Sequence, residues 1–154
     1  MATALSDIFE PQFPAAGWHV PDDNYRPSAN EEFMSPDQLA YFRQKLLDWK
    51  EAIVRESRDT MASLKSGPIR EADVTDRASS ETDWGIELRT RDRQRKLIAK
   101  IDSALRRIDE GEYGFCEVTG EPIALARLEA RPVATMTVEA QERHERQERV
   151  SRDD

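Results

Sequence analysis

Cysteine is almost absent: Cys116 is the only one in 154 residues, so no disulfide can close within the chain. Histidine is nearly as scarce, and His19 and His144 belong to no ligand pair. There is no phosphate-cradling glycine loop, no serine elbow and no His-Glu zinc motif, which removes the enzyme classes most legible in sequence. Aromatic residues make up 7% and all hydrophobic residues 38%, too little for a large globular core. No apolar run has membrane-spanning length, and the N-terminus lacks the basic-then-apolar pattern of a secretory signal. Together these absences predict a soluble cytoplasmic protein with no membrane partner. Charge is what the chain has in quantity. Charged residues are 35% of it, with 23 Lys and Arg against 31 Asp and Glu, a net of -8. Such acidity argues against free binding to a nucleic-acid duplex, which phosphate neutralisation drives.

The apolar residues are sparse but ordered. Leu39, Phe42, Leu46, Trp49 and Ile53 recur at spacings of 3, 4, 3 and 4, and Ile98, Ile101, Leu105 and Ile108 at 3, 4 and 3. Each set is the apolar seam of a helix. Packed antiparallel, Leu39 meets Leu105, Phe42 meets Ile101 and Leu46 meets Ile98, so the paired numbers sum to 143 or 144 and the turn falls near residue 72. Arg91 lies on the continuing seam, so apolar contact should thin toward the turn. Trp84 and Leu88 are expected to face Ser57, Met61 and Leu64.

Local signals divide the chain. Residues 1–34 hold four of the eight prolines, six acids and one basic residue, and five aromatics. They read as an extended segment packed partly on the body. Ser35 as N-cap, Pro36 at the first position and Gln38 in a capping box start the first helix, and Gly67-Pro68 ends it. The second helix is expected to begin near residues 75–80 and to stop at Gly111. Residues 35–110 thus form a coiled-coil hairpin with an acidic tip near 70–78. Residues 111–137 read as a knuckle: a turn at Thr119-Gly120, a short helix over Ile123–Leu128 and a short strand at Met136–Val138. Residues 138–154 read as a charged C-terminal helix. The fold class expected is mostly α: a long antiparallel hairpin, a small globular region and a last helix.

Three features could carry chemistry. Glu71, Asp73, Asp76, Glu81 and Asp83 crowd the turn against Arg70 and Arg77. Helix capping by Thr75 or Asp76 and dipole complementarity account for acids there. Carboxylates offered to a metal or to a partner's basic pocket are the functional alternative, although two alone bind Mg²⁺ weakly. Arg89, Arg91, Arg93, Arg95, Lys96, Lys100, Arg106 and Arg107 form a basic band, with only Asp92 and Asp102 among them. A solvated, ion-paired face explains such a band, and reception of phosphates or an acidic partner is the alternative. Cys116-Glu117-Val118-Thr119 has the gap of a zinc knuckle, but threonine stands in the second ligand position, and structural zinc wants four thiolate or imidazole ligands. Cys116 then reads as a small packed residue.

Several segments taken together resemble the DksA family of RNA polymerase-binding transcription factors. They are Glu31–Met34, Gln38–Arg43, Glu87–Arg93, Gly114-Phe115-Cys116 and Arg127–Pro132, and the match runs from about residue 31 to 141. The family's tip pattern Asp-x-x-Asp-x-Ala stands here as Asp73, Asp76 and Ala78. The resemblance implies a regulator, not an enzyme. It would insert its hairpin into the secondary channel of RNA polymerase with the tip near the catalytic centre, bind no promoter sequence, and destabilise open complexes in concert with ppGpp in the stringent response. Arg89 and Arg91 are candidate polymerase contacts. Leu97, Lys100 and Arg131 match the family's ppGpp pocket, while a further family lysine is Gln141 here. The family's zinc ligands fall at Cys116, Thr119, Thr137 and Ala140, so three of four are lost. The chain resembles the cysteine-poor branch, and no zinc cofactor is expected. Tyr113, Phe115, Ile123, Leu125, Leu128 and Met136 would hold the knuckle by packing. Two other readings remain open: a Gre-like transcript cleavage factor lending carboxylates to polymerase, and a hairpin adaptor for another protein.

Overall fold

A computed structural model describes residues 21–66 and 74–153, with side chains described for 21–62 and 82–152. Four helices are present among them: α1 (Pro36–Ser66), α2 (Val74–Glu110), α3 (Leu125–Ala130) and α4 (Val138–Asp153). The turn joining α1 to α2 lies outside the described residues. At 1.5 Å per residue, α1 is about 45 Å long.

The start of α1 follows its capping signals, with a difference. The Gln38 amide donates to Ser35 Oγ at 3.3 Å. The Gln38 side chain does not close the box on Ser35 but turns back to the preceding segment. Its Oε1 accepts from the Met34 amide at 2.8 Å, and its Nε2 donates to the Ser28 carbonyl and to Glu31 Oε2, both at 3.2 Å. Gln38 is fully buried, and burial of an amide is tolerated because donors and acceptor alike are satisfied. Glu31 also accepts from the Tyr25 hydroxyl and the Ser28 amide, which holds its carboxyl below the usual range. The acidic segment before α1 is therefore bound to the body from residue 21 onward.

The helix pair packs where the two seams coincide. Phe42, Leu46 and Ile101 are wholly buried, and Ile53, Ala104, Leu105 and Ile108 nearly so. Lys50 Nζ reaches Asp102 Oδ1 across the pair at 2.7 Å. Apolar contact thins toward the turn, as the seam predicts, at Trp84 and Leu88. They are 48% and 57% exposed, and of the residues expected to face them the Leu64 side chain lies outside the described residues. α2 begins at Val74, so Thr75 and Asp76 sit in its first turn and not at its cap.

The knuckle closes the root of the hairpin. Phe115 and Pro122 form an antiparallel bridge, and the turn between them holds Gly120 at φ 74°. The Ile123 amide donates to the Gly114 carbonyl at 2.7 Å and Ala124 is extended, at φ -55° and ψ 136°, so α3 starts two residues later than its sequence suggests, at Leu125. The strand expected at Met136–Val138 is absent. Thr137 instead caps α4, its Oγ1 accepting from the Ala140 amide at 3.3 Å and its carbonyl from the Gln141 amide at 2.9 Å. The packed residues are mainly those named from sequence. Tyr113, Ile123 and Leu128 are buried and Phe115, Leu125 and Met136 partly so, joined by Cys116 and Val133. The Tyr113 hydroxyl donates to the Pro132 carbonyl at 2.7 Å. Gly114 lies at φ 90°, and a Cβ there would stand 2.9 Å from Met34 Cγ and Sδ, so the segment before α1 closes directly on the knuckle backbone.

Candidate functional site

The residues singled out by sequence fall at two ends of the hairpin. Asp73 lies outside the described residues. Asp76 and Ala78 lie in the first two turns of α2, with their side chains outside the description. At the other end Leu97 packs against the core, and Lys100, one turn on, is exposed on the same side of α2. Arg131 is the exposed C-cap residue of α3, its amide donating to the Arg127 carbonyl at 2.7 Å. Gln141 lies in the first turn of α4 and donates from Nε2 to Glu145 Oε1 at 3.0 Å.

Arg131 owes its placement to a tie that sequence reasoning did not assign. Two residues before it, Glu129 accepts from the Tyr41 hydroxyl and from Lys45 Nζ at 2.7 Å, and Lys45 also donates to the Glu129 carbonyl at 2.8 Å. Partial burial pushes the Glu129 carboxyl up, but the hydrogen bonds from Lys45 and Tyr41 and the Lys45 charge outweigh it, and the group stays below the usual range. The Tyr41 ring is itself flanked by the Arg26 guanidinium at 6.0 Å and Lys45 Nζ at 5.9 Å. The segment before α1, α1 itself and α3 thus meet at one cluster. Nothing local announces it, since the partners are 84 and 88 residues apart.

The basic band divides on inspection. Arg89, Arg93, Arg95, Lys100 and Arg106 are exposed, and Lys96 pairs with Asp92 at 3.0 Å. Arg107 turns inward and serves the knuckle, donating to the Phe115 carbonyl at 2.8 Å and the Glu112 carbonyl at 3.2 Å. Arg91 is half-buried, and its Nε has no hydrogen-bond partner.

Three of the four knuckle positions, Cys116, Thr119 and Thr137, come together, and Ala140 is buried next to them with its amide on Thr137 Oγ1. Burial pushes the Cys116 thiol up, but hydrogen bonds from the Thr119 hydroxyl and from the backbone of Thr119, Thr137 and Val118 bring it down to about 7. These groups point at one sulfur as a ligand shell would. The donor set does not fit a tetrahedral zinc site, however: Cys116 is the one thiol among two threonines and an alanine, and zinc prefers thiolate and imidazole. Among the described residues no cluster of three or more His, Cys, Asp or Glu could hold a metal. Nor is any helix there long and apolar enough to cross a membrane.

A two-helix hairpin rooted in a small knuckle defines a class of stalked proteins that carry one end of a helix pair far from a folded base. Residues 38–108 match the family described as DnaK suppressor protein DksA, N-terminal domain, and residues 111–146 match the prokaryotic dksA/traR C4-type zinc finger. The RNA polymerase-binding transcription factor DksA of Caulobacter vibrioides is 67% identical over 135 residues, 88% of this chain and 95% of that protein. Its namesake in Escherichia coli K12 is 37% identical over 115 residues, 75% of this chain and 76% of that protein. The solved structure of transcription factor DksA2 from Pseudomonas aeruginosa superposes with a TM-score of 0.65 at 41% identity, covering 73% of this chain and 86% of that one. The chain belongs to the DksA family.

Proposed function

We propose that this protein is a cytoplasmic transcription regulator that binds RNA polymerase, inserts its hairpin into the secondary channel and destabilises open promoter complexes together with ppGpp. It has no active site of its own and reads no promoter sequence. The observation that carries this reading is the near full-length identity to a relative named as an RNA polymerase-binding transcription factor. A hairpin of about 45 Å with a partly apolar, basic second helix supplies a suitable shape. Asp73, Asp76 and Ala78 are the tip residues that act near the polymerase centre, and Arg89 and Arg91 contact the polymerase along the way. Leu97, Lys100 and Arg131 form this chain's share of the ppGpp pocket, with Gln141 where a further charge would stand. The knuckle works without zinc. Thr137 caps a helix, Thr119 bonds the Cys116 sulfur, and packing around Tyr113, Ile123 and Leu128 takes the place of metal bonds.

The test is transcription in vitro from a stable-RNA promoter, with polymerase binding measured alongside. Asp76→Asn keeps the side-chain volume and removes one carboxylate. It should bind polymerase nearly as the parent does and lose most of its inhibition. Full inhibition by this variant refutes the role given to the tip. Cleavage of stalled transcripts by polymerase loaded with the parent protein would instead assign the acids to a Gre-like reaction.

A further inference from the structure

We propose that Arg91 ends the packed seam of the hairpin and makes the stretch beyond it, residues 54–62 of α1 with 82–90 of α2, a compliant arm on a rigid root. The inference concerns the free chain and does not depend on polymerase binding.

The two halves of the hairpin differ in kind. In the root, Phe42, Leu46, Ile101, Ala104, Leu105 and Ile108 are at most 3% exposed, and Lys50 bridges to Asp102. A seam packed to that degree resists bending, because any change in helix separation opens voids. Among the described side chains of α1, Ile53 is the last that is buried, and the antiparallel register sets Arg91 opposite it. From residue 54 to 62 and from 82 to 100 no residue is buried. The Arg55–Glu51 and Lys96–Asp92 ion pairs in this half each run along a single helix.

Arg91 gives this boundary a physical cause. It occupies a seam position where leucine or isoleucine would continue the pattern of Ile98, Ile101 and Leu105. Its aliphatic stem can lie in the seam, but a guanidinium cannot be packed there as a leucine or isoleucine side chain would be. The cost shows at Nε, which is buried with no hydrogen-bond partner among the described residues. Beyond it Trp84 and Leu88 keep seam positions yet remain about half exposed, opposite Ser57 and Thr60. Each helix keeps its own backbone bonds, so the arm stays helical. What it lacks is the side-chain packing that makes opening or bending costly. A stalk built in this way holds its base fixed while its far half bends more readily.

Hydrogen exchange on the full chain tests this. In the parent, amides of 82–90 should be at least about tenfold less protected than those of 98–108. Arg91→Leu should raise protection over 82–90 by about tenfold, with Arg91→Met as a second variant should the branched side chain not be accommodated. Arg93→Leu, on the outer face of α2, changes the same residue types without touching the seam and should leave protection unaltered. Equal protection of both stretches in the parent overturns the inference. So does unchanged protection in both Arg91 variants, or an equal gain in Arg93→Leu.

Discussion

Replacing Glu129 by glutamine isolates the charge in the tie between α3 and α1. The amide keeps an oxygen for the Tyr41 hydroxyl, and Lys45 keeps the backbone carbonyl of residue 129 at 2.8 Å. Only the ion pair at 2.7 Å is lost. A charge-assisted hydrogen bond contributes about 1.5–3 kcal/mol against about 1 for a neutral one. The Lys45 and Glu129 side chains are 34% and 43% exposed, so solvent screening reduces the difference to about 1 kcal/mol. For a chain of this size that lowers Tm by about 3 °C. The pH dependence is the sharper test. Glu129 titrates below its ordinary value in the folded protein and near that value in the unfolded chain. Its contribution is therefore fully present above the ordinary glutamate pKa and is lost as pH falls through the lower folded one. Urea unfolding of parent and variant should differ by about 1 kcal/mol at pH 7 and converge in acid well below the ordinary value of about 4.3. No difference at neutral pH, or an equal difference at both, refutes the ion pair as a stabilising tie.

Purified protein should carry no stoichiometric zinc, and a chelator should leave its thermal unfolding unchanged. About one zinc per chain by metal analysis contradicts the donor set at Cys116, Thr119, Thr137 and Ala140. Cys116→Ser should leave promoter inhibition largely intact. Lys100→Ala and Arg131→Ala should reduce the ppGpp-dependent part of promoter inhibition more than the ppGpp-independent part, and Gln141→Lys should strengthen it; unaltered ppGpp titrations in all three remove these residues from the pocket. Ile101→Asp places a charge at a fully buried position, a loss of at least about 2–5 kcal/mol before the charge is counted. Circular dichroism should show the hairpin melting at or near room temperature, with binding and activity lost together.

The hairpin was legible because a helix seam is a periodic signal. Phe42, Leu46, Ile101 and Leu105 announce their shared face by spacing alone, and antiparallel pairing then sets their register. Capping chemistry is equally local, which is why Ser35 and Pro36 mark the start of α1. The knuckle was legible as a core but not as a path. Tyr113, Ile123 and Leu128 are apolar wherever the chain runs, whereas the start of α3 depends on Ala124 staying extended after Ile123 bonds to Gly114. Thr137 has good strand propensity, which is why its segment reads as a strand. Its side chain instead caps α4, because a threonine next to a helix start gains more from that bond than from an unpaired strand.

The sequence by itself determined the two seams, the approximate turn and the place of Arg91 on the seam, since each is a matter of residue type at a fixed interval. Tertiary structure alone decided that Glu129 ties α3 to α1, that Arg107 leaves the basic band to hold the knuckle, that Gln38 binds the acidic segment, and that Trp84 and Leu88 stay uncovered. The reason is common to all four. Each depends on the distance between atoms far apart in the chain, and composition and spacing fix which groups can bond but not which of them the fold brings within reach.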